Sequence, residues 1–459
     1  MRPELAGKKV AVFGLGKSGR AAIRLLQRER AEITAVDQAS AGDLGEVAGW
    51  LDRAGVRLCA GGADVAEVLG GADLVVVSPG VPLSLPAIEA ARSAGVPVWG
   101  EVELAWRFLP PAPLVGITGT NGKSTTTALC GALFQAGGRR AFVGDNLGSP
   151  LSEAALTEQP FQVYVVELSS YQLEGAETLR CNGAALLNLT PDHVDRYPSH
   201  AAYGAAKARI FRNQNRGDFA VVNADDAAVM ALARGASVPL HGFSLADGGA
   251  RDLASRAVAE GDGFRIERGD AAPEGFHVRN RALRGAHNLQ NAMAAALLAH
   301  HCGLAPEAIQ RGLDEYPGLP HRIESVATIE GVEWVNDSKA TNVDSSLVAL
   351  HAFTGNVWLI LGGKGKGAPY APLVEASRGK VKGVLTIGDD APAIQRAFHG
   401  AIPVYSCGTL AGAVDGAREL AQSGDVVLLS PACASFDQFK NFEHRGEIFK
   451  ALVREGAER

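Results

Sequence analysis

The stretch Val115-Gly-Ile-Thr-Gly-Thr-Asn-Gly-Lys-Ser-Thr-Thr-Thr127 decides how the chain folds. The apolar run at its start predicts a buried strand, and the residues after Lys123 predict a helix that ends at Gly137 and Gly138. A strand, a glycine-rich turn and a helix N-terminus together form a cradle for phosphate, because backbone N–H groups point into the turn. Lys123 supplies a positive charge for the terminal phosphates, and the hydroxyl of Ser124 is suited to bind Mg²⁺.

This turn departs from the usual G-x-x-x-x-G-K-[ST] pattern, because Ile117 stands where the first glycine is expected. Gly116, Gly119 and Gly122 precede the Lys-Ser pair instead. The alternative interpretation is a glycine-rich turn with an incidental lysine. The glycines, the Lys-Ser pair and both flanking elements together favour a nucleotide-phosphate site.

Length and composition predict a globular protein of two or three domains. The 459 residues exceed one ordinary core, and the apolar and charged fractions of 47% and 20% are typical of soluble chains. A formal charge of −6, without a Lys/Arg-rich stripe, argues against a nucleic-acid partner. The six cysteines form no C-x-x-C pair, and no apolar run resembles a signal peptide or a membrane span. We therefore expect a cytoplasmic protein with reduced thiols and no membrane partner.

A second glycine-rich turn lies near the N-terminus. Residues 8–20 predict a strand that runs into G-x-G-x-x-G at Gly14, Gly16 and Gly19, and the next predicted strand ends at Asp37. An acidic residue roughly 20 positions beyond the glycines is typical of a dinucleotide-binding, Rossmann-like domain. Such a turn also accepts other nucleotide pyrophosphates, so the residues alone leave NAD and another nucleotide as equal alternatives.

Polar side chains follow neighbouring strands of the middle segment. Glu167 ends a predicted buried strand, and in a parallel sheet that end faces the glycine turn, so Glu167 can complete a Mg²⁺ site with Ser124. The next strand delivers His193, flanked by two aspartates, to the same edge, which favours a metal or catalytic role over a structural one. Lys207 lies among small residues of a predicted helix, and the residues alone favour a solvated side chain there.

Proline-rich segments mark two predicted domain boundaries, at residues 109–113 and 317–320. The fold class is α/β with three domains. Strands and helices alternate on both sides of the central segment, which predicts Rossmann-like N-terminal and C-terminal domains around a P-loop-type ATPase domain. We expect the domains to span residues 1–108, 109–319 and 320–459.

Motifs along nearly the whole chain resemble those of the ATP-dependent Mur ligases, which add amino acids to the peptidoglycan precursor. The matching stretches are Gly-Ile-Thr-Gly-Thr-Asn-Gly-Lys-Ser-Thr, Val-Glu-Leu-Ser-Ser-Tyr-Gln-Leu-Glu, Asn-Leu-Thr-Pro-Asp-His-Val-Asp-Arg-Tyr, Gly-Ala-His-Asn, Leu-Pro-His-Arg, Asn-Asp-Ser-Lys-Ala-Thr-Asn and Ser-Pro-Ala-Cys-Ala-Ser-Phe-Asp-Gln-Phe-Lys-Asn-Phe. The last two are similar to the branch that adds D-glutamate to UDP-N-acetylmuramoyl-L-alanine through an acyl phosphate. The Asp-Asn-Pro-Arg motif expected of the branch that adds a diamino acid is absent from the sequence. The resemblance implies a role in cell-wall synthesis, cell shape and cell division.

The resemblance implies a set of residues for each ligand. ATP is expected at Gly119, Asn121, Gly122, Lys123, Ser124, Thr125, Asn288, Asn291, Arg322 and Asp337. The UDP-linked substrate, in place of NAD, is expected at Gly14, Leu15, Gly16, Lys17, Ser18, Gly19, Asp37, Gln38, Ser78, Pro79, Gly80 and Asn146. D-glutamate is expected at Thr341, Lys366, Ser435 and Phe442, with Lys364 as an alternative to Lys366. The residues alone leave a helix cap as the simpler role for Asn288.

The resemblance also implies two Mg²⁺ ions bound through Ser124, Glu167, His193 and Lys207, the last of these carbamylated. A carbamate converts the cationic side chain into an anionic oxygen ligand. Lys123, His193 and Lys207 are the expected catalytic residues, and the protein is expected to be a monomer.

Three other interpretations compete with this one. Folylpolyglutamate synthase couples glutamate by means of ATP on a related fold, but it is expected to lack the N-terminal UDP-binding domain. A Rossmann dehydrogenase explains the N-terminal pattern and leaves Lys123 and Glu167 without a role. A nucleotide-binding regulatory module does not require charged loops that converge on one edge.

Overall fold

The computed structural model describes the chain in five ranges, 2–62, 64–146, 148–191, 196–247 and 252–455. These ranges form an α/β protein that divides into two compact units. The first unit comprises residues 1–277 and 290–313, and the second comprises residues 278–289 and 314–459. Within the described ranges, no helix combines the length and the apolar character that a membrane crossing requires.

The first unit begins with a parallel sheet whose strands are β1 (Lys9–Phe13), β2 (Glu32–Asp37), β3 (Arg57–Ala60), β4 (Leu74–Val77) and β5 (Val98–Gly100). Their order across the sheet is β3-β2-β1-β4-β5. The accompanying helices are α1 (Lys17–Arg28), α2 (Ala41–Leu44), α3 (Glu46–Arg53), α4 (Val65–Gly70), α5 (Pro86–Ser93) and α6 (Glu101–Phe108). Val12 shares a core with Leu25 on one face, and Phe13 shares another core with Ile88 on the opposite face. A parallel sheet with an apolar core on both faces is the predicted Rossmann-like arrangement.

A larger sheet follows in the same unit. Its strands are β6 (Leu114–Thr118), β7 (Ala141–Asp145), β8 (Val163–Glu167), β9 (Gly183–Leu186), β10 (Phe219–Asn223), β11 (Leu240–Ser244), β12 (Ser255–Glu260), β13 (Gly263–Glu267) and β14 (Glu274–His277). Their order is β14-β13-β12-β11-β10-β9-β6-β8-β7, and only the pairs β12–β13 and β13–β14 are antiparallel in the described part of this sheet. The glycine-rich turn therefore leaves the interior of a parallel sheet, as the sequence predicts.

The helices of this part of the chain are α7 (Lys123–Ala136), α8 (Leu151–Leu156), α9 (Ser170–Glu174), α10 (His200–Ala208), α11 (Ala227–Ala233), α12 (Ala286–His301) and α13 (Pro306–Glu315). Single 3₁₀ turns occupy Arg209–Phe211 and Arg281–Leu283. Helix α7 confirms the prediction from its pattern: Leu129 and Leu133 are fully buried, and Gly137 caps its C-terminus.

The second unit contains a sheet with strands β15 (Glu324–Ile329), β16 (Val332–Asn336), β17 (Val357–Gly362), β18 (Val381–Ile387), β19 (Val404–Gly408) and β20 (Val426–Leu429). Their order is β15-β16-β20-β17-β18-β19. Its helices are α14 (Val343–His351), α15 (Ala371–Ser377), α16 (Ala391–Phe398), α17 (Leu410–Leu420) and α18 (Phe442–Glu455). Strand β15 is an antiparallel edge strand that sequence reasoning missed. Its turn into β16 is Glu330-Gly331, and both residues have positive φ, +50° and +79°, as tight hairpin turns require.

Candidate active site

The glycine-rich turn that follows β6 is tightly packed. Gly122 precedes the first turn of α7 with φ +81°, and a Cβ added to it would approach Asn291 Oδ1 to 2.4 Å. Gly119 has φ +156°, and an added Cβ would lie 3.0 Å from the Cβ atom of Leu187. Neither position tolerates a side chain, so the glycines of the sequence pattern are structural requirements of this loop.

Lys123 folds back over its own loop. Its Nζ atom donates hydrogen bonds to the carbonyl oxygens of Gly119 at 2.9 Å and Thr120 at 2.8 Å. The ammonium group is therefore held at the mouth of the turn, where the phosphates of a bound nucleotide would lie. Helix α12 supports the same loop, because Thr126 Oγ1 donates to Asn291 Oδ1 at 3.1 Å.

Asn188, two residues after the end of β9, supports this loop and was not predicted from the sequence. Its Oδ1 accepts from the backbone N–H of Asn121 at 2.8 Å, and its Nδ2 donates to the Asn121 carbonyl at 3.0 Å. This pair of bonds fixes the turn from the neighbouring strand. The signal in the sequence is an amide that immediately follows the apolar run 184–187.

Glu167 lies beside the turn, and only one of its two carboxylate oxygens has a hydrogen-bond partner among the described residues. Strand β8 pairs with β6 so that Glu167 is level with Ile117, and the side chain is only 1% exposed. Its Oε1 accepts from Asn146 Nδ2 at 2.6 Å, whereas its Oε2 is buried and has no hydrogen-bond partner among the described residues. A buried anionic oxygen is costly unless a cation or donor meets it, so the residues fit the predicted Mg²⁺.

The described residues contain no cluster of three His, Cys, Asp or Glu side chains that could hold a metal by themselves. A cation at Glu167 would therefore be bound by Ser124 and Glu167 together with phosphate oxygens and water. This is the usual arrangement for Mg²⁺ in nucleotide sites. His193, the third predicted ligand, lies outside the described residues.

Lys207 is buried, with 1% of its surface exposed, so the solvated side chain that the residues alone favoured is wrong. Its Nζ atom donates to the carbonyl oxygen of Gly119 at 2.8 Å and lies 4.6 Å from the centre of the Tyr203 ring. The helical pattern gave no sign of this, because α10 turns the lysine toward a loop distant in sequence. The structure thus brings Lys207 to the same glycine as Lys123.

A separate cleft in the first unit has a volume of about 490 Å³, within the range typical of ligand sites. Ten of the residues predicted for the UDP-linked substrate line it, namely Gly14, Leu15, Gly16, Lys17, Ser18, Asp37, Ser78, Pro79, Gly80 and Asn146. Gly19 and Gln38 are not among the lining residues. Gly19 instead allows close packing, because an added Cβ would lie 1.9 Å from the Gly14 carbonyl oxygen, and Gln38 is exposed.

Asp37 stabilises the glycine loop of this cleft through hydrogen bonds. Its carboxylate accepts hydrogen bonds from the backbone N–H groups of Leu15 and Ala39 at 2.9 and 3.0 Å. The other wall comes from the loop after β7, and Lys17 Nζ donates to the Gly148 carbonyl across the cleft. Asn146 therefore borders this cleft and also holds Glu167.

A buried pair of carboxyl groups, Glu101 and Asp145, lies next to the loop after β7. The sequence analysis did not predict this pair. Glu101 Oε1 accepts from the backbone N–H of Ser152 at 2.7 Å, and Asp145 accepts from Gln172 Nε2 and from the N–H of Leu151. Burial raises the pKa of Asp145 well above its ordinary value, and the charge of Glu101 raises it further. Burial also raises the pKa of Glu101. Burial therefore favours the protonated form at this pair of carboxyl groups.

Two of the residues predicted for ATP lie in the second unit at the ends of neighbouring strands, Arg322 just before β15 and Asp337 directly after β16. Asp337, after β16, accepts from Ser430 Oγ at 2.7 Å and from the N–H of Ile323 at 3.2 Å, and burial raises its pKa to about 7. The Nε atom of Arg322 is buried and has no hydrogen-bond partner among the described residues. Arg322 thus retains a donor for a ligand.

The residues predicted for D-glutamate lie on the loops after β16, β17 and β20 and at the start of α18. Ser435 is buried, Thr341 and Phe442 are partly exposed, and Lys366 is exposed together with its alternative Lys364. The loops after β17 and β20 are joined, because Lys364 and Ala434 exchange backbone hydrogen bonds of 2.8 and 3.0 Å. Both lysine side chains reach solvent, so their geometry leaves the two alternatives equal.

Asn288 and Asn291 have different partners. Asn288 Nδ2 donates to the Arg284 carbonyl at 3.0 Å in the second unit, and Asn291 supports the phosphate loop in the first unit. Both side chains are buried. A purine contact for either residue stays a prediction.

Three family models match consecutive parts of the chain. Residues 8–100 match the MurD-like N-terminal domain of Mur ligases, residues 117–299 match the Mur ligase middle domain, and residues 321–433 match the Mur ligase glutamate ligase domain. The chain belongs to the Mur ligase family. The dehydrogenase alternative fails, because its only support was the stretch that matches the first of these domains.

Two relatives are similar over nearly their full length. The UDP-N-acetylmuramoylalanine–D-glutamate ligase of Myxococcus xanthus is 64% identical over 452 residues, covering 98% of both chains. The enzyme of the same name from Anaeromyxobacter dehalogenans is 55% identical over 461 residues, covering 99% of both. The solved MurF ligase of Thermotoga maritima in complex with ADP shares the fold, with a TM-score of 0.61 at 17% identity, over 99% of this chain and 97% of that one.

Proposed function

We propose that this chain joins D-glutamate to UDP-N-acetylmuramoyl-L-alanine at the expense of ATP, which makes it an amide-forming ligase of peptidoglycan precursor synthesis. The observation that carries the proposal is the phosphate loop with Lys123 at its mouth and the unpartnered oxygen of Glu167 beside it. A nucleotide triphosphate and its cation satisfy both groups at once. The two similar relatives carry the name of this reaction.

The proposed division of labour assigns one ligand to each predicted domain. Residues 1–108 would hold the UDP group in the cleft lined by the glycine loop and Asp37. Residues 109–319 would bind ATP on the phosphate loop, and residues 320–459 would supply Arg322 and Asp337 to the nucleotide and hold D-glutamate. We further propose that the protein acts as a monomer in the cytoplasm, without a nucleic-acid or membrane partner.

The proposed reaction has two steps. A carboxylate oxygen of the L-alanyl group attacks the γ-phosphorus of ATP, the bond to ADP breaks, and an acyl phosphate forms. Lys123 is positioned to offset the charge that spreads over the transferring oxygens. The neutral amine of D-glutamate then attacks the acyl carbon, phosphate leaves, and the amine loses a proton as the amide forms.

Mg²⁺, held by Ser124 and Glu167, would supply neutralisation of the phosphate charge. Asn146 fixes Glu167 for this role through its 2.6 Å hydrogen bond, and it also borders the cleft proposed for the UDP-linked substrate. One side chain therefore connects the two substrate sites. A carboxylate held by an amide partner stays in a single orientation for its ligand.

The proposal includes carbamylation of Lys207 and a second Mg²⁺ bound there with His193. Carbamylation requires a neutral amine, and Lys207 is buried with its Nζ atom on the same carbonyl oxygen as that of Lys123. The aromatic face of Tyr203 and the Gly119 carbonyl hold the side chain at the loop.

A phosphate-release assay tests the substrate assignment. Purified protein with ATP, Mg²⁺ and UDP-N-acetylmuramoyl-L-alanine is expected to release phosphate with D-glutamate, and far less with L-glutamate, D-aspartate or a diamino acid. Calorimetry with UDP and with NAD tests the N-terminal cleft separately, and UDP is the expected ligand. Equal turnover of all the amino acids, or binding of NAD without UDP, would contradict the proposal.

A further inference from the structure

Arg445 is the largest completely buried side chain of the described residues, with 0% of its surface exposed. It lies in the first turn of α18, and its guanidinium group makes three hydrogen bonds. Nε donates to Ser338 Oγ at 3.0 Å, Nη2 donates to the Ser338 carbonyl at 2.8 Å, and Nη1 donates to the Cys433 carbonyl at 3.1 Å. All three acceptors are uncharged, so the arginine is not buried here as half of an ion pair.

The acceptors lie on segments that carry the proposed D-glutamate residues. Ser338 belongs to the loop that continues to Thr341, and Cys433 belongs to the loop that continues to Ser435. The Ser338 hydroxyl also donates to the Phe442 carbonyl at 2.8 Å. A single hydroxyl therefore links the loop after β16 to the start of α18, and Arg445 links both to the loop after β20.

A third segment lies against the same guanidinium group. A Cβ added to Gly363 would lie 3.2 Å from Nη1 of Arg445 and 2.3 Å from the Ala434 carbonyl oxygen. The backbone of Gly363 thus passes close to Arg445 just before the chain reaches Lys366, and the bonds between Lys364 and Ala434 fix this approach. Arg445 is in contact with, or one hydrogen bond from, every segment proposed to hold the amino acid.

From this network we propose that Arg445 is a positioning residue for the incoming amino acid, setting the spacing of the loops that hold its carboxylates. The inference rests on the proposed function, because it takes the D-glutamate residues from it. An amino acid with two carboxylates needs donors at fixed separations, and small displacements of those donors weaken binding strongly. The rigid, planar guanidinium fork can hold acceptors on two loops at a fixed spacing, whereas an ammonium group cannot.

The test compares Arg445→Lys with Arg454→Lys, an exposed arginine on the same helix. Arg445→Lys keeps the charge and loses the fork, so we expect its KM for D-glutamate to rise at least about 10-fold. The KM for the UDP-linked substrate is expected to change less than about 2-fold, because the cleft proposed for it lies in the first unit. Arg454→Lys is expected to match the wild-type protein in its KM values for D-glutamate, the UDP-linked substrate and ATP.

Ser338→Ala provides a second variant if Arg445→Lys fails to fold. It removes the hydroxyl between Arg445 and Phe442, and we expect a smaller rise in the KM for D-glutamate, about 3- to 10-fold. A lower melting temperature with unchanged KM values, or an equal rise for all three substrates, would overturn the inference. If the wild-type protein uses another amino acid, the proposed substrate fails, and the same comparison with that amino acid still decides the role of Arg445.

Discussion

The Nζ atoms of Lys123 and Lys207 donate to one acceptor, the carbonyl oxygen of Gly119, at 2.9 and 2.8 Å. Lys123 comes from the first turn of α7 and Lys207 from the last turn of α10. Two ammonium groups this close repel each other, and one of them is buried. Carbamylation of Lys207, as proposed above, would turn one of these two cationic groups into an anionic one.

Lys207→Ala is expected to reduce kcat at least about 10²-fold, because the variant loses the proposed anionic ligand. A short carboxylate such as acetate is expected to restore part of the activity by occupying the space. Lys123→Ala is the matched control, since it removes a cation over the phosphoryl group, and we expect a loss of about 10²- to 10³-fold without rescue by acetate. Equal behaviour of the two variants in acetate would count against carbamylation.

We expect Glu167→Gln to raise the stability of the protein and to lower its activity. The variant keeps an oxygen for Asn146 and removes the buried charge at the unpartnered position. Without Mg²⁺, the free energy of unfolding should rise by about 1 kcal/mol, because a buried unpaired charge is destabilising. The value of kcat should fall about 10²-fold, with a higher Mg²⁺ requirement.

Glu158→Gln, a change at an exposed position just before the same strand, is the control for Glu167→Gln. It should alter neither the unfolding curve nor the Mg²⁺ requirement. A Glu167→Gln protein that is less stable and equally active would show that the carboxylate is a structural group.

A histidine cluster on the large sheet of the first unit makes a prediction about acid stability. His241 Nδ1 and His301 Nε2 lie 2.8 and 3.0 Å from Ser255 Oγ, and the two rings stack with centres 3.7 Å apart. Burial lowers the pKa of His241 to about 4 and that of His301 to about 3. His300 and Glu274 also face this cluster, with their closest atoms 3.4 Å apart.

These histidines are neutral in the folded protein and gain protons on unfolding below their ordinary pKa of about 6.5. Stability is therefore expected to fall between about pH 6.5 and pH 4, by at least about 2 kcal/mol at pH 5. His241→Asn should flatten this dependence, and the change of an exposed histidine, His200→Asn, should leave it intact. Urea unfolding at a series of pH values measures both, and identical curves would refute the assignment.

Mutation can distinguish the roles of Lys364 and Lys366 on the loop after β17. Lys366→Ala is expected to reduce kcat/KM for D-glutamate at least about 10²-fold, because a carboxylate of the amino acid loses its charged partner. Lys364→Ala should have a much smaller effect, since its backbone pairing with Ala434 is retained. If Lys364 proves to be the sensitive residue, the acceptor site stands and the two lysines exchange roles.

Sequence reasoning predicted the elements whose signals are local. The strand before Gly119, the start of α7 at Lys123 and the position of Glu167 at a strand end all depend on short patterns, and the structure confirms them. The burial of Lys207 was missed, because the helix pattern does not reveal which distant loop covers a side chain. The edge strand β15 was missed because its partly buried residues lack a clear apolar alternation.

Sequence patterns also could not predict which polar groups from distant segments pair with one another. Glu101 and Asp145 are 44 positions apart in the chain, and nothing local marks either residue as buried. Asn188 supports Asn121 across 67 positions. Such partners become visible only when the order of the strands is known.

The carboxyl pair formed by Glu101 and Asp145 alters the proton count of the whole chain. Burial raises the pKa of both groups, so the folded protein binds protons at these carboxyl groups more tightly than the unfolded chain does. The contribution of these carboxyl groups to stability is therefore lost as the pH rises through their folded-state pKa. The histidine cluster has the opposite sign, so folding releases protons at the histidines and takes up protons at the carboxyl pair.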